Sequence, residues 1–380
     1  MITVGFLASS FVSRNASGTA IQFRKIIEIF CTNYVDVVNV FIFCNSYDQF
    51  NLIKTDKKYD SAEVVMLPEV KGKFLRSSRQ YFKYCFLKKR FTIDILHFSV
   101  PRFYPFFWKF PARKFICTFH AGGDVTASRD KFILSREIYN LIAKITHSKL
   151  NGIVAVSNSG KNEISTAYDI SLKKIEVIYP GTDDLWNVEY SQLRPVEGDK
   201  KIVVVIGRWQ EYKNIQIVTT TLMSLKFQDY SDTLFVFIGK RVSNFAAVID
   251  SHLKSVSTNN YICLEYVSNE DYISWLRRAD VVVFPSLNEG FGLPAFDAYS
   301  QGANLIIHDN APASEILKNE PGVFECNLRS SEEFWKTLKL ALESKSNSID
   351  KRRFHLMESG ATWSCMASNY LKYYDKIMKQ

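Results

Sequence analysis

The sequence predicts an α/β protein made of two doubly wound parallel-sheet units. Three observations predict it. Short apolar runs of strand length alternate with helix-patterned stretches along the whole chain. The alternation stops over 187–200, a polar stretch with Pro195 and Gly198, and then restarts. At 380 residues the chain is long for one domain and suits two.

Each element has its own warrant. Residues 2–8 read as the first strand, since no basic region precedes the apolar run as it would in a signal peptide. Residues 19–33 read as a helix, with Ile21, Ile26, Ile27, Ile29 and Phe30 as its apolar positions. Strands are expected over 37–43, 93–98 and 114–119, a long helix over 129–149, and a strand over 152–156. Ser157-Asn158-Ser159 offers an N-cap for a helix over 160–168. A strand over 175–179 closes on Pro180-Gly181. After the break, strands are expected over 201–206, 234–238, 261–265, 281–284 and 304–308. Helices are expected over 214–223, 246–256, 269–279, 331–344 and 363–378. Such alternation implies parallel sheets covered on both faces, with ligands at the carboxyl ends of the strands, and places the cleft between the two units.

Composition narrows the function classes. No apolar stretch reaches membrane-spanning length. The seven cysteines are scattered with no C-x-x-C pair, which points to free thiols in a reducing cytoplasm. Residues 1–190 hold 26 Lys and Arg against 17 Asp and Glu, whereas 191–380 hold 22 of each, so the whole excess of +9 sits in the first half. Eight basic residues and no acid fall in 70–93, interleaved with Phe74, Tyr81, Phe82, Tyr84, Phe86 and Phe91. A second basic and aromatic patch runs from Arg102 to Lys114. The combination over 70–114 fits a peripheral contact with anionic lipid headgroups; a solvated helix face is the plainer alternative. No nucleic-acid module is recognisable, and no nucleic-acid partner is expected.

The most informative segment is Phe284–Gly302. A buried strand, Val281–Phe284, leads into a turn rich in Gly and Pro and then a helix-like pattern, with Glu289 at the turn and Asp297 eight residues on. A strand, a Gly turn and a helix N-terminus seat an anion, because free N–H groups and the helix dipole face outward there. An ordinary βα turn is the bland alternative. Gly207-Arg-Trp-Gln-Glu-Tyr-Lys-Asn214 is a second strand-end turn, whose Arg208 and Lys213 could neutralise a diphosphate held on the 291–293 amides. In the first half, the strand ending at Phe119 delivers His120 into a loop with Gly122 and Gly123, as a hydrogen-bonding group or a merely structural imidazole. There is no G-x-G-x-x-G, no Walker loop, no G-x-S-x-G elbow and no metal-ligand spacing, so no metal or cofactor is expected.

Four segments in order resemble one family: Val154–Gly160 with Ile175–Asp183, Gly207–Asn214, Tyr266–Asp280, and Pro285–Gly302. The chain resembles the retaining nucleotide-sugar glycosyltransferases of glycosyltransferase family 4, which have the GT-B fold of two Rossmann-like doubly wound domains facing a central cleft. The resemblance implies an acceptor-side domain of 1–190 plus 362–380 and a nucleotide-sugar domain of 191–361. It implies that Arg208 and Lys213 hold the donor diphosphate and that Glu289 contacts the donor sugar. The backbone of Phe291, Gly292 and Leu293 would support sugar and phosphate. Asp297 would take the ribose hydroxyls, and Tyr266 and Val267 the base through their backbone. Gly18 is similar to the family's glycine near the phosphates, and His120 to its histidine at the donor sugar. Two departures stand out: Asp297 replaces the second Glu of the E-x7-E signature, and Ala121 stands where the family often has Asp, with Asp124 as a possible substitute. The implied activity is hexose transfer from a donor such as GDP-mannose or a UDP-hexose to a lipid-linked glycan, in O-antigen or capsule synthesis on the inner face of the plasma membrane. A nucleotide-sugar 2-epimerase and a non-catalytic nucleotide-sugar-binding protein remain as alternatives.

Overall fold

The computed structural model describes residues 1–8, 18–68, 93–99, 107–120, 145–190, 200–224, 231–242, 245–256, 260–345 and 348–380. They divide into two units, Met1–Gly181 with Gly360–Gln380, and Thr182–Ser359.

The first unit is built on seven strands: β1 (Ile2–Leu7), β2 (Val38–Cys44), β3 (Glu63–Met66), β4 (Ile93–Ser99), β5 (Ala112–Phe119), β6 (Gly152–Ala155) and β7 (Ile175–Val177). All pairings are parallel, in the order β3-β2-β1-β4-β5-β6-β7. Val4 sits opposite Val40 on one side and Ile95 on the other. The central strands are mostly apolar because side chains cover both faces, with a few buried polar residues such as His97 and Thr118 among them. One core joins Phe6 and Ile42 to Phe23, Ile27 and Phe30 of the helix Gly18–Asn33. It also takes in Trp363, Met366, Tyr370 and Tyr374 of the final helix, Trp363–Met378. That helix starts on Thr362, whose hydroxyl accepts the Cys365 N–H at 3.2 Å; a Thr N-cap satisfies one of the first-turn donors.

The second unit has six parallel strands: β8 (Lys201–Ile206), β9 (Thr233–Ile238), β10 (Tyr261–Leu264), β11 (Val281–Phe284), β12 (Asn304–His308) and β13 (Val323–Cys326). Their order is β10-β9-β8-β11-β12-β13. Both sheets therefore run outward from the first strand in one direction and from the fourth in the other. The order reverses between β1 and β4 in one unit, and between β8 and β11 in the other. In open α/β sheets ligands collect at that reversal, beyond the carboxyl ends of the strands.

The unit boundaries lie at 181/182 and 359/360 rather than at the expected 190/191 and 361/362. Side-chain contacts explain the first shift. Gln301 donates to the Leu185 carbonyl at 3.4 Å, Arg353 lies over Trp186 and Arg277 over Tyr190, so 182–190 pack with the second unit. Most expected elements are found within two residues of their bounds, but among the described residues five strands and α-helices were not anticipated. The strands β3 and β13 are short and only partly buried. The helices Tyr47–Thr55 and Ile349–Glu358 bury one and two residues respectively, and Ser314–Leu317 is a single turn. Of the helix expected over 129–149, residues 129–144 lie outside the described residues, and His147–Lys149 form a 3-10 turn.

Candidate functional site

In the second unit Arg208, Lys213, Glu289, Phe291 and Gly292 fall on the loops that leave β8 and β11, the strands on either side of the reversal, whereas Tyr266 and Val267 follow the edge strand β10. β8 exits into Gly207, and Glu211–Lys213 make one 3-10 turn that ends on Asn214 in the left-handed region, φ 51°. Asn tolerates that conformation better than most residues. Its buried amide donates to the Leu328 carbonyl at 2.7 Å, pinning the end of the turn. The exit is tight: a Cβ on Gly239, at the end of β9, would lie 1.9 Å from the Gly207 carbonyl oxygen. Only glycine lets the β8 and β9 exits pass so closely.

β11 exits next door. The Leu287 N–H donates to the Tyr212 carbonyl at 3.0 Å, which ties the two loops together. Lys213 and Glu289 consequently meet as an ion pair, each side chain 15% exposed. The ammonium also lies 5.3 Å from the Tyr212 ring and 5.7 Å from the Phe284 ring. A partly buried ion pair is weak evidence for stability, because desolvation offsets most of the attraction. Its placement at the reversal of the sheet makes it a functional candidate.

Beyond Glu289 the chain turns on Gly292, at φ +95°, into the helix Leu293–Ser300. That angle favours glycine, and a Cβ would also press on the Phe284 ring at 3.3 Å. No side chain caps the first turn; Pro294 has no N–H and the Ala295 N–H donates to the Gly292 carbonyl at 2.9 Å, so the Gly292 and Leu293 amides and the positive end of the helix dipole are left to meet an anion. Phe291 is buried and stacks on Phe296, ring centroids 4.5 Å apart, which anchors the turn from below. Arg208 is exposed on the β8 loop. Tyr266 and Val267 follow β10; the Tyr266 ring is exposed, with the Lys240 ammonium 5.8 Å from its centre.

Asp297 lies on the helix Leu293–Ser300, where the Tyr272 hydroxyl donates to it at 3.4 Å. Burial raises its pKa to about 7 and the Asp184 charge adds to that, while the Tyr272 hydrogen bond opposes it. The native carboxyl thus keeps its proton up to about pH 7, whereas the unfolded chain releases it near 3.8. Between those values the native state binds more protons than the unfolded one, so this group lowers stability as pH rises through the window. Asp297→Asn removes the effect. Its melting temperature relative to the native protein should climb between about pH 4 and 7 and level off above. A difference that stays constant from pH 4 to 8 would refute the assignment.

Gly18 and His120 belong to the first unit. Gly18 opens its helix in an exposed position. His120 follows β5, and its Nε2 is hydrogen-bonded to Gln22 Oε1. Its Nδ1 is buried without a partner among the described residues. Burial holds the imidazole neutral, its pKa lowered to about 3. Ala121 and Asp124 lie outside the described residues.

Sequence reasoning missed Gln22, Tyr272 and Gly239. Gln22 and His120 are far apart in the chain, and a glutamine on a helix carries no motif. Tyr272 lies within Tyr266–Asp280, where nothing in the sequence sets it apart from a core aromatic. The lipid-facing patch needs a correction. Residues 69–92 and 100–106 lie outside the described residues, but Phe107 and Phe110 are each only 3% exposed. They fill the core beneath β2, β4 and β5, alongside Phe43, Phe98 and Phe115, so they are unavailable to a membrane. No helix among the described residues is long and apolar enough to cross one.

Comparison with known proteins bears on the family and the fold. The family profile described as Glycosyltransferase Family 4 matches residues 36–184, and that described as Glycosyl transferases group 1 matches 189–358. The O-antigen chain mannosyltransferase RfbU of Salmonella typhimurium is 24% identical over 227 residues, covering 56% of this chain and 60% of that protein. The chain spans about half the length of the curated relatives it matches. Sucrose-phosphate synthase from Thermosynechococcus elongatus superposes with a TM-score of 0.73 at 13% identity over 100% of both chains. Anabaena Alr3699/HepE, in complex with UDP and glucose, does so at 0.65 and 14% over 100% of this chain and 98% of that one. At such identities the likeness establishes the fold. With a matching profile on each half and the same sheet order in both units, the chain belongs to glycosyltransferase family 4 and has the GT-B fold.

Proposed function

We propose that the chain transfers a hexose from a nucleoside diphosphate sugar to a lipid-linked glycan, with retention at the anomeric carbon, in the synthesis of a bacterial surface polysaccharide. The observation that carries the reading is the meeting of Lys213 and Glu289 at the reversal point of the second sheet, beside an uncapped helix N-terminus.

The chemistry follows from charge. Cleavage of the anomeric C–O bond sends the electron pair to the diphosphate and leaves positive character on the sugar. Lys213, with Arg208 on the same loop and the amides of Gly292 and Leu293, stabilises the departing diphosphate. Glu289, released from Lys213 by the incoming phosphate, accepts hydrogen bonds from the sugar hydroxyls. The acceptor oxygen attacks from the face the diphosphate leaves, and its proton passes to the leaving phosphate oxygen, so configuration is retained. Asp297 receives the ribose, and the exposed stretch at Tyr266 and Val267 receives the base.

The proposed donor is GDP-mannose or a UDP-hexose; among similar proteins, RfbU is described as a mannosyltransferase and HepE was solved with UDP and glucose. The basic first half supports an acceptor held at an anionic membrane, and hence a place on its cytoplasmic face.

Calorimetric titration with UDP, GDP, ADP, dTDP and CMP tests the donor site. One nucleoside diphosphate should bind, and CMP, which lacks the second phosphate, should bind at least tenfold more weakly. Absence of binding by every diphosphate would overturn the proposal.

A further inference from the structure

The imidazole of His120 is held by one described partner, Gln22, and Gln22 is itself the end of a buried polar chain. Its Nε2 donates to the Tyr370 hydroxyl at 3.2 Å. Tyr370 meets the Thr118 hydroxyl at 2.9 Å, Thr118 meets His97 Nε2 at 2.8 Å, and His97 Nδ1 meets the Tyr374 hydroxyl at 2.6 Å. Gln22, His97 and Thr118 are almost completely buried, as are both tyrosines. The chain joins the helix Gly18–Asn33, β4, β5 and the final helix, all within the first unit.

Direction can be assigned from Gln22 outward. The amide nitrogen donates to Tyr370, so Tyr370 donates to Thr118, Thr118 to His97 Nε2, and His97 Nδ1–H to Tyr374. The other end of the amide is Oε1, an acceptor without a proton. It can hold His120 only if His120 Nε2 carries the hydrogen. A neutral imidazole with Nε2 protonated has a bare lone pair on Nδ1, the atom that is buried and without a described partner.

We propose that Gln22 is a positioning residue that fixes His120 in the Nε2–H tautomer, so that Nδ1 is presented as a hydrogen-bond acceptor for a substrate hydroxyl. Where the family often orients this histidine with a carboxylate at the next position, here Ala121, a glutamine from the first helix does so, backed by the Tyr370 hydroxyl. The charge consequence differs. A carboxylate would favour imidazolium; an amide does not. Among the described residues, the ionisable groups connected to His120 through this chain are His97, Tyr370 and Tyr374. His97 is held neutral by burial and by the neighbouring His120, and burial raises both phenols, so none brings a charge near neutral pH. Phe23 packs beside both imidazoles, at 4.9 Å from His97 and 6.3 Å from His120.

The inference rests on the proposed transfer reaction, but its first readout does not. In 15N-histidine-labelled full-length protein, with the His120 signals identified by their loss in His120→Asn, Nε2 should show the shift and directly bonded proton of a protonated ring nitrogen, and Nδ1 the shift of an unprotonated one. The pattern should hold down to about pH 4. Gln22→Leu should let the tautomers average and reduce kcat by roughly 10²-fold, with the affinity for the nucleoside diphosphate unchanged. Gln22→Glu keeps the acceptor oxygen but adds charge, and should move the His120 titration upward by roughly 1–3 pH units. An Nδ1–H tautomer in the native protein, or a Gln22→Leu protein with native tautomer and rate, would overturn the assignment. Loss of all turnover in the native protein with the expected tautomer intact would instead remove the transfer reading.

Discussion

Replacing Lys213 with alanine should reduce transfer by roughly 10²–10³-fold in kcat, the range seen when one group that stabilises developing negative charge is removed. In the proposed reaction the ammonium sits where the diphosphate charge grows, and its side chain is only 15% exposed. Charge in such surroundings is worth several times what it is in water. The substitution also strands Glu289, whose described cation partner is Lys213. A lone carboxylate facing the diphosphate repels it, so nucleotide affinity should fall along with rate. Titration with the preferred diphosphate and steady-state kinetics with its sugar donor measure both. Arg208→Ala should cost less, because an exposed guanidinium works through solvent-screened charge. A Lys213→Ala enzyme with native kcat would place the chemistry elsewhere.

Gly239→Ala should be the most damaging conservative change in the second unit. The added carbon would lie 1.9 Å from the Gly207 carbonyl oxygen and 2.6 Å from its carbon. Both atoms are backbone, so no side-chain rotation relieves the clash. The Gly207 N–H is bound to the Ile238 carbonyl at 3.1 Å and the Gly239 N–H to Leu264 at 2.9 Å, so relief requires the exits of β8, β9 and β10 to move together. Overpacking of this kind costs about 3 kcal/mol, which for a unit of this size lowers the melting temperature by about 6–12 °C. Because the displaced turn carries Arg208 and leads to Lys213, diphosphate affinity should fall in the surviving folded protein. Thermal denaturation and calorimetry of the same preparation check both effects, and native values for both would contradict the close approach of the strand exits.

The central strands were legible because burial on both faces writes itself as unbroken apolar runs: Val203–Ile206, Val281–Phe284 and Leu305–Ile307 admit no other reading of that length and composition. Edge elements were not. β3 and β13 are half-covered, and their mixed sequences Glu-Val-Val-Met and Val-Phe-Glu-Cys look like loop. The helix Ile349–Glu358 presents mostly charge, and one of its two buried residues is Arg352, a residue type rarely fully buried. Its guanidinium donates to the carbonyls of Tyr299 and Ala303 at the end of the helix that carries Asp297. At the site, residues within a strand-end motif could be found by spacing, as Lys213, Glu289 and Gly292 were. Residues that act from another element could not. Gln22 is brought to His120 by sheet order alone, and the proximity of Gly239 to Gly207 exists only once β8 and β9 are paired.

The return of Trp363–Met378 to the first unit sets an order for synthesis. Residues 182–359 form one uninterrupted stretch and can complete their sheet as soon as they emerge from the ribosome. The first 181 residues emerge earlier but lack Trp363, Met366, Tyr370, Tyr374 and Ile377 of their own core. Until those arrive, His97 and Thr118 have no phenol to bind, and the apolar face of the helix Gly18–Asn33 stays open to water or to a chaperone. The part of the protein made first is therefore finished last.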